Sequence, residues 1–191
     1  MPFLFLRVIW EPHHIQFPLR IAGANIKELR ITPEPNHPFG RKGLMLERAW
    51  QQIAPPSCLG MLILDGDVVI DPQDFILMAG SIGREPGAVH VGAARIWSAS
   101  KPELAVRELS GWSWAHWGED GPTHEMIPEE KIKFFTFNFT YLPASLVEAS
   151  IKRGLKGRMF PGVDTFVSKT AREIRTPIRV VAGASPKHLN Y

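Results

Sequence analysis

Asp65 and Asp67, separated by Gly66, stand directly after the apolar run Gly60-Met61-Leu62-Ile63-Leu64. Two carboxylates at that spacing, just beyond a buried strand, project from a rigid edge, and two close anions repel unless a cation lies between them. A Mg or Mn ion resolves the conflict, because hard divalent ions take oxygen ligands and keep open positions for water or phosphate oxygens. Gly66 lets the backbone turn tightly there and lets a ligand approach closely. The alternative is a polar turn in which an Asp caps the next element. The Met-Leu-Ile-Leu run in front of the pair favours the ion.

Arg41 and Lys42 follow Gly40 at the start of a helical pattern. Their side chains and the free N–H groups of a helix start suit a phosphate, and a solvated first turn is the alternative. Asp164 heads another helical pattern, in N-cap position. The helix dipole and backbone donors favour its ionised form, so work as a base requires an opposing desolvation. His188 follows the last apolar run, where a neutral imidazole would serve Mn more readily than Mg; the alternative is a frayed tail. The pairs His13-His14 and His116/His124 lack a spacing that builds a site. Lys169 and Arg172 fall on the polar face of the Asp164 helix and read as solvent-facing. Trp97, Trp112, Trp114 and Trp117 lie in an irregular stretch, where flat rings either fill a core or stack on a sugar or base. Glu119-Asp120, in the same stretch, rivals Asp164 as a base.

The elements that must position these residues follow from periodicity. Apolar runs predict strands over Phe3–Trp10, Leu29–Thr32 and Gly60–Leu64, the last resuming at Val68–Ile70. Further strands are predicted over Ala88–Ile96, over the aromatic-rich stretch Ile132–Phe139, and over Pro177–Ala182. Leu46, Trp50 and Ile53 recur at helical spacing between Gly40 and Pro55-Pro56. Gln73–Gly80 reads as a short helix, and Leu142-Pro143 opens another that Gly154 caps. From Asp164, residues Phe166, Val167, Thr170, Ala171 and Ile174 give one helical face. Alternating strands and helices predict an α/β domain, with a mostly parallel sheet covered on both faces. Such sheets bind ligands at the strands' carboxyl ends, where Asp65 and Asp67 fall.

With 191 residues, 45% of them hydrophobic, the chain can bury one good core, so residues 1–191 are expected to form a single domain. The lone cysteine, Cys58, rules out an intramolecular disulfide or a cysteine-based zinc cluster and fits a reducing compartment. The opening apolar run is broken by Arg7 and is too short to span a bilayer, and no signal-peptide pattern follows it. Cytoplasm is the expected compartment. From Ile151 onward there are nine Lys and Arg against two Asp and Glu, so this region suits an anionic neighbour such as a nucleotide diphosphate, a nucleic acid or an anionic surface.

Gly40-Arg41-Lys42-Gly43, its helix, and Met61-Leu62-Ile63-Leu64-Asp65-Gly66-Asp67 together resemble the nucleotide-sugar half of family 2-like GT-A glycosyltransferases. Asn138-Phe139-Thr140-Tyr141-Leu142-Pro143-Ala144-Ser145-Leu146 is similar to the acceptor-side strand and helix of that superfamily. Phe160-Pro161-Gly162-Val163-Asp164-Thr165-Phe166 resembles its Glu-Asp segment at a helix start, and Ser185-Pro186-Lys187-His188 stands where a late histidine often lies. The resemblance covers roughly residues 40–190 and is most specific at the Asp-x-Asp and its flanks.

Two positions depart from the pattern. Val163 stands where the family commonly has Glu, and Glu11-Pro12-His13-His14 replaces the usual turn after the first strand.

The resemblance implies a GT-A-like three-layer α/β/α fold, with a nucleotide-sugar half over about 1–96 and an acceptor half over about 97–191. It implies a Mn or Mg ion on Asp65, Asp67 and His188, and a nucleotide diphosphate sugar bound near Arg41, Lys42, Asp65 and Gly66. Asp164 would be the general base, taking the proton of an acceptor hydroxyl on a glycan, a protein or a modified nucleic acid, with inversion at the anomeric carbon. Two other readings are a GT-A-like module that binds nucleotide sugar or nucleic acid without turnover, which the missing Glu at 163 favours, and a nucleotidyltransferase. The latter would want a Gly-rich loop near the N-terminus, and the sequence has none.

Overall fold

The computed structural model describes residues 5–10, 26–31, 42–53, 57–65, 68–92, 95–98, 117–118, 121–122, 132, 134–158, 162–181, 183–184 and 187–190. In chain order the elements are β1 (Phe5–Trp10), β2 (Ile26–Ile31), α1 (Lys42–Ile53), β3 (Gly60–Leu64), β4 (Val68–Val69), α2 (Pro72–Arg84), β5 (Val89–Gly92) and β6 (Arg95–Ser98). They continue with β7 (Trp117–Gly118), β8 (Gly121–Pro122), β9 (Phe139–Pro143), α3 (Ala144–Lys152), a 3-10 turn (Leu155–Gly157), α4 (Gly162–Glu173), β10 (Ile178–Val181) and β11 (Lys187–Asn190).

Strands and helices do mix along the chain, but the main sheet is not mostly parallel. Its order is β10-β5-β9-β3, and β9 runs antiparallel to both neighbours while β10 and β5 are parallel. The carboxyl ends of β10, β5 and β3 therefore share one edge with the amino end of β9. Three smaller sets accompany it among the described strands: β1 pairs with β2 in parallel, β11 lies between β4 and β6, and β7 pairs antiparallel with β8. Val68–Ile70 is thus no continuation of β3. Val68 N–H donates to Asp65 O at 3.1 Å, and β4 pairs with β11 rather than extending β3.

Side-chain alternation along the central strands divides the core in two. Ile63, Val89, Val91 and Leu142 pack with Leu146, Val147, Val163, Val167 and Ala171 of α3 and α4, and with partly buried Leu46 and Trp50 of α1. Phe139, Tyr141 and Val181 pack with Met78 and Ile82 of α2. A strand sends alternate side chains to opposite faces, so β9 contributes Phe139 and Tyr141 to one cluster and Leu142 to the other.

Two of these elements differ from expectation. The helix predicted over 73–80 runs on to Arg84, because Met78, Ser81 and Ile82 keep its buried stripe in phase past Gly80. Asp71 N–H donates to Asp74 Oδ2 at 2.9 Å to close its amino end, with Pro72 as its first residue. The strand predicted over 132–139 begins only at Phe139. Phe135 and Phe137 are fully buried, but their N–H groups donate to Ser168 Oγ (3.0 Å) and Asp164 Oδ2 (3.3 Å), so α4 takes the backbone bonds a ladder would have used. Gly154, as predicted, follows α3 in the left-handed region, at φ 90°.

Two buried polar groups fix how α2 meets the sheet. His90 Nε2–H donates to Glu85 O at 2.8 Å, leaving Nδ1 to accept the Ser81 hydroxyl at 2.9 Å, and burial lowers the ring's pKa so that this neutral tautomer holds. The Tyr141 hydroxyl lies 2.8 Å from Leu59 O and 3.0 Å from Pro86 O, sharing its proton between the approach to β3 and the loop before β5. Burial pushes the phenol up to about 12, so it stays a donor. Tyr141→Phe leaves both carbonyls without that donor and is expected to lower stability by about 1–2 kcal/mol in urea unfolding, with the m-value unchanged.

Candidate functional site

Asp65 is the first residue past β3, and its N–H donates to Asn138 O at 3.3 Å. The carboxylate is thereby anchored where the chain enters β9. Lys42 is the first residue of α1, and its Nζ lies 2.7 Å from Asp65 Oδ1 and 2.9 Å from Oδ2. The same ammonium stands 5.3 Å from the centre of the Phe137 ring, within cation–π range. Asp164 completes the cluster from α4.

Asp164 is not the N-cap; it is the third residue of α4, with Gly162 the first. Inside the first turn its side chain reaches back to Phe137 N–H, while its Oδ1 is buried and accepts no hydrogen bond. Burial pushes its carboxyl up to about 6. The negative charge of Asp65 adds to that rise, and Lys42 and the Phe137 N–H oppose it. The desolvation that a basic Asp164 requires is therefore present, and it outweighs both stabilising partners.

The sheet edge thus brings together Lys42, Asp65 and Asp164 from the amino ends of two helices and the carboxyl end of a strand. Gly43 makes this placement possible. Its N–H donates to Arg158 O at 3.2 Å, and a Cβ built on it would stand 2.0 Å from Leu155 O and 2.9 Å from Arg158 O. Only a residue without a side chain lets α1 start against the 3-10 turn, directly beside Lys42. The sequence signal for this was a glycine in the first turn of a helix, a costly choice there unless another backbone comes close. Phe137 and Asn138 also escaped sequence reasoning, because their aromatic neighbours read as strand.

Arg41, Gly66 and Asp67 lie outside the described residues, as do His13, His14, His116, Glu119, Asp120, His124, Trp112 and Trp114. His188 is described by its backbone: it falls within β11 and pairs opposite Val68, three residues past Asp65. The segment carrying His188 is therefore a sheet strand paired with β4. Val163, where the resemblance would place a Glu, is fully buried in the core of α3 and α4, so this position offers nothing to the site.

Lys169 does not join the cluster. Five positions on from Asp164 it faces roughly the opposite side of α4, in a groove with Arg153, Arg158, Phe166 and Glu173. There Arg158 stacks 4.3 Å above the Phe166 ring and Arg153 pairs with Glu173.

Among the described residues no three His, Cys, Asp or Glu side chains stand together as a metal-holding group, and no helix is long and apolar enough to cross a membrane. Compared with known proteins, the chain matches no family model and no curated protein.

Proposed function

We propose that this chain is a metal-dependent glycosyltransferase of GT-A-like three-layer architecture, moving a sugar from a nucleotide diphosphate sugar to an acceptor hydroxyl. The observation that carries the reading is the convergence of Asp65 and Asp164 at one edge of the sheet. These two carboxylates lie far apart in sequence, and the charge of Lys42 acts on both, pairing with Asp65 and opposing the rise of Asp164. A sheet with helices packed on separate sides supports the architecture.

The Asp65 carboxylate fits a hard divalent ion, since it already holds a cation on both oxygens. The buried Oδ1 of Asp164 accepts no hydrogen bond and is open to take a proton. Asp65, with Asp67 and His188, would hold Mn or Mg, which when bound neutralises the charge of the diphosphate leaving group. Lys42, at the start of α1, and Arg41, which precedes it in sequence, bind the phosphates. Asp164 accepts the acceptor's hydroxyl proton as that oxygen bonds to the anomeric carbon; the bond from this carbon to the β-phosphate oxygen breaks, and its electron pair leaves with the nucleoside diphosphate. Attack opposite the leaving group inverts the centre.

Incubation with a panel of nucleotide sugars and Mn should release nucleoside diphosphate, and chelator or Asp65→Ala should abolish the release while the far-UV spectrum stays unchanged. Nucleotide binding that is indifferent to chelator and to Asp65→Ala would sink the metal reading. Metal-dependent binding without release would point instead to a module that binds without turnover, the reading favoured by Val163 at the helix start.

A further inference from the structure

The cation nearest the Asp65 carboxylate belongs to the protein itself. Lys42 Nζ straddles it, 2.7 Å from Oδ1 and 2.9 Å from Oδ2, with the Lys42 side chain 19% exposed and that of Asp65 26%. A divalent ion would take the same oxygens at about 2.0–2.6 Å, inside the shell that the ammonium fills. Two cations on one carboxylate edge also repel strongly in so shielded a place. Lys42 and an ion are therefore alternatives at Asp65.

We propose that Lys42 is the resident counter-cation of the acidic site, neutralising Asp65 until a divalent ion displaces it. The inference rests on the metal reading of Asp65 and adds an exchange to it. The base of the Lys42 side chain is fixed, because Gly43 seats the start of α1 on Leu155 and Arg158, so the displaced ammonium moves only by its own flexible stem. Having lost a carboxylate, it favours any phosphate that arrives within the same reach. Ion and diphosphate then assist each other's binding, since each relieves what the other would meet, and the assistance is reciprocal. Lys42 is thus a binding residue that serves the carboxylate first and the phosphate after. A purely structural ion pair between α1 and β3 would carry no such coupling.

The test titrates the full chain with Mn alone, in the absence of nucleotide, and follows the paramagnetic resonance of the free ion. Lys42→Met keeps an apolar stem over Phe137 and removes the charge; it should bind Mn at least about tenfold more tightly than the natural chain. Lys42→Arg should gain nothing, and Asp65→Asn in the Lys42→Met background should lose the gain. Mn bound by the natural chain but no more tightly by Lys42→Met would overturn the exchange and leave the metal reading standing. No Mn bound by either would overturn both. Should Lys42→Met not fold, the natural chain decides: the Lys42 Cε resonance, identified by its loss in Lys42→Arg, should move to the position of a solvated lysine as Mg saturates the site. A resonance that stays in place at saturation overturns the exchange.

Discussion

Asp164→Asn should make the protein more stable and at least about a hundredfold slower, the scale of losing a general base. The carboxyl of Asp164 stands at about 6 in the fold, mainly through burial, above the ordinary value of an exposed Asp. A carboxyl raised in this direction favours the native state when protonated, so its ionisation costs stability as pH rises through about 6, and the cost vanishes below about pH 4, where both states hold the proton. At neutral pH the cost is at most about 3 kcal/mol. Asparagine keeps an acceptor for the Phe137 N–H and carries no charge to desolvate, so it removes that cost. The urea midpoint of Asp164→Asn should exceed that of the natural chain at pH 7.5 and match it at pH 4, while donor binding changes little. A variant less stable at pH 7.5, or one with normal turnover, would show that Asp164 is an ordinary part of the α4 start. Loss of turnover in Glu119→Gln or Asp120→Asn alone would move the base elsewhere.

Gly43→Ala should be the most damaging single-methyl change at the site. The added carbon would overlap Leu155 O and press on Arg158 O, and both are backbone atoms that cannot rotate aside. Either α1 lifts off the 3-10 turn or the bond from Gly43 N–H to Arg158 O breaks. Overpacking of this kind costs about 1–3 kcal/mol, and alanine's better helix propensity returns about 1 kcal/mol at most. The larger effect falls on chemistry, because the movement carries Lys42 away from Asp65. Nucleotide affinity should drop as far as it does in Lys42→Ala. Normal affinity in Gly43→Ala, with normal stability, would mean that α1 tolerates the shift and that Lys42 is not held by its helix start.

Both predictions depend on contacts that the sequence disclosed unevenly. Asp65 was legible because an apolar run that stops abruptly at an acid is a local pattern, although β3 is not the buried strand that run predicted: it lies at the sheet edge with only Ile63 buried. Lys42 was legible as a helix-start cation, but its partner was not: the ion pair joins α1 to the end of β3, and nothing in either segment states that distance. Phe135 and Phe137 misled, since alternating aromatics look like a strand until the hydroxyl of Ser168 and the carboxylate of Asp164 claim their N–H groups. The direction of β9 was hidden for a related reason. Its residues are buried on both faces, as in a parallel strand, and only its pairing with β3 and β5 shows that it runs the other way. The position of Asp164 within α4 shifted by a few residues from N-cap to first turn, and that small shift decides whether its carboxylate caps its own helix or reaches the chain entering β9.

β11 inserts between β4 and β6, so β4 is paired by a segment made long after it. During synthesis β3, β4 and α2 leave the ribosome well before β11 exists to pair with β4. Pairing that spans so much chain carries a loop-closure cost and forms late. The nascent protein therefore passes through a stage in which β4 has an open strand edge. Protection from chance pairing, and from proteases that cut exposed segments, arrives only with the stretch around His188.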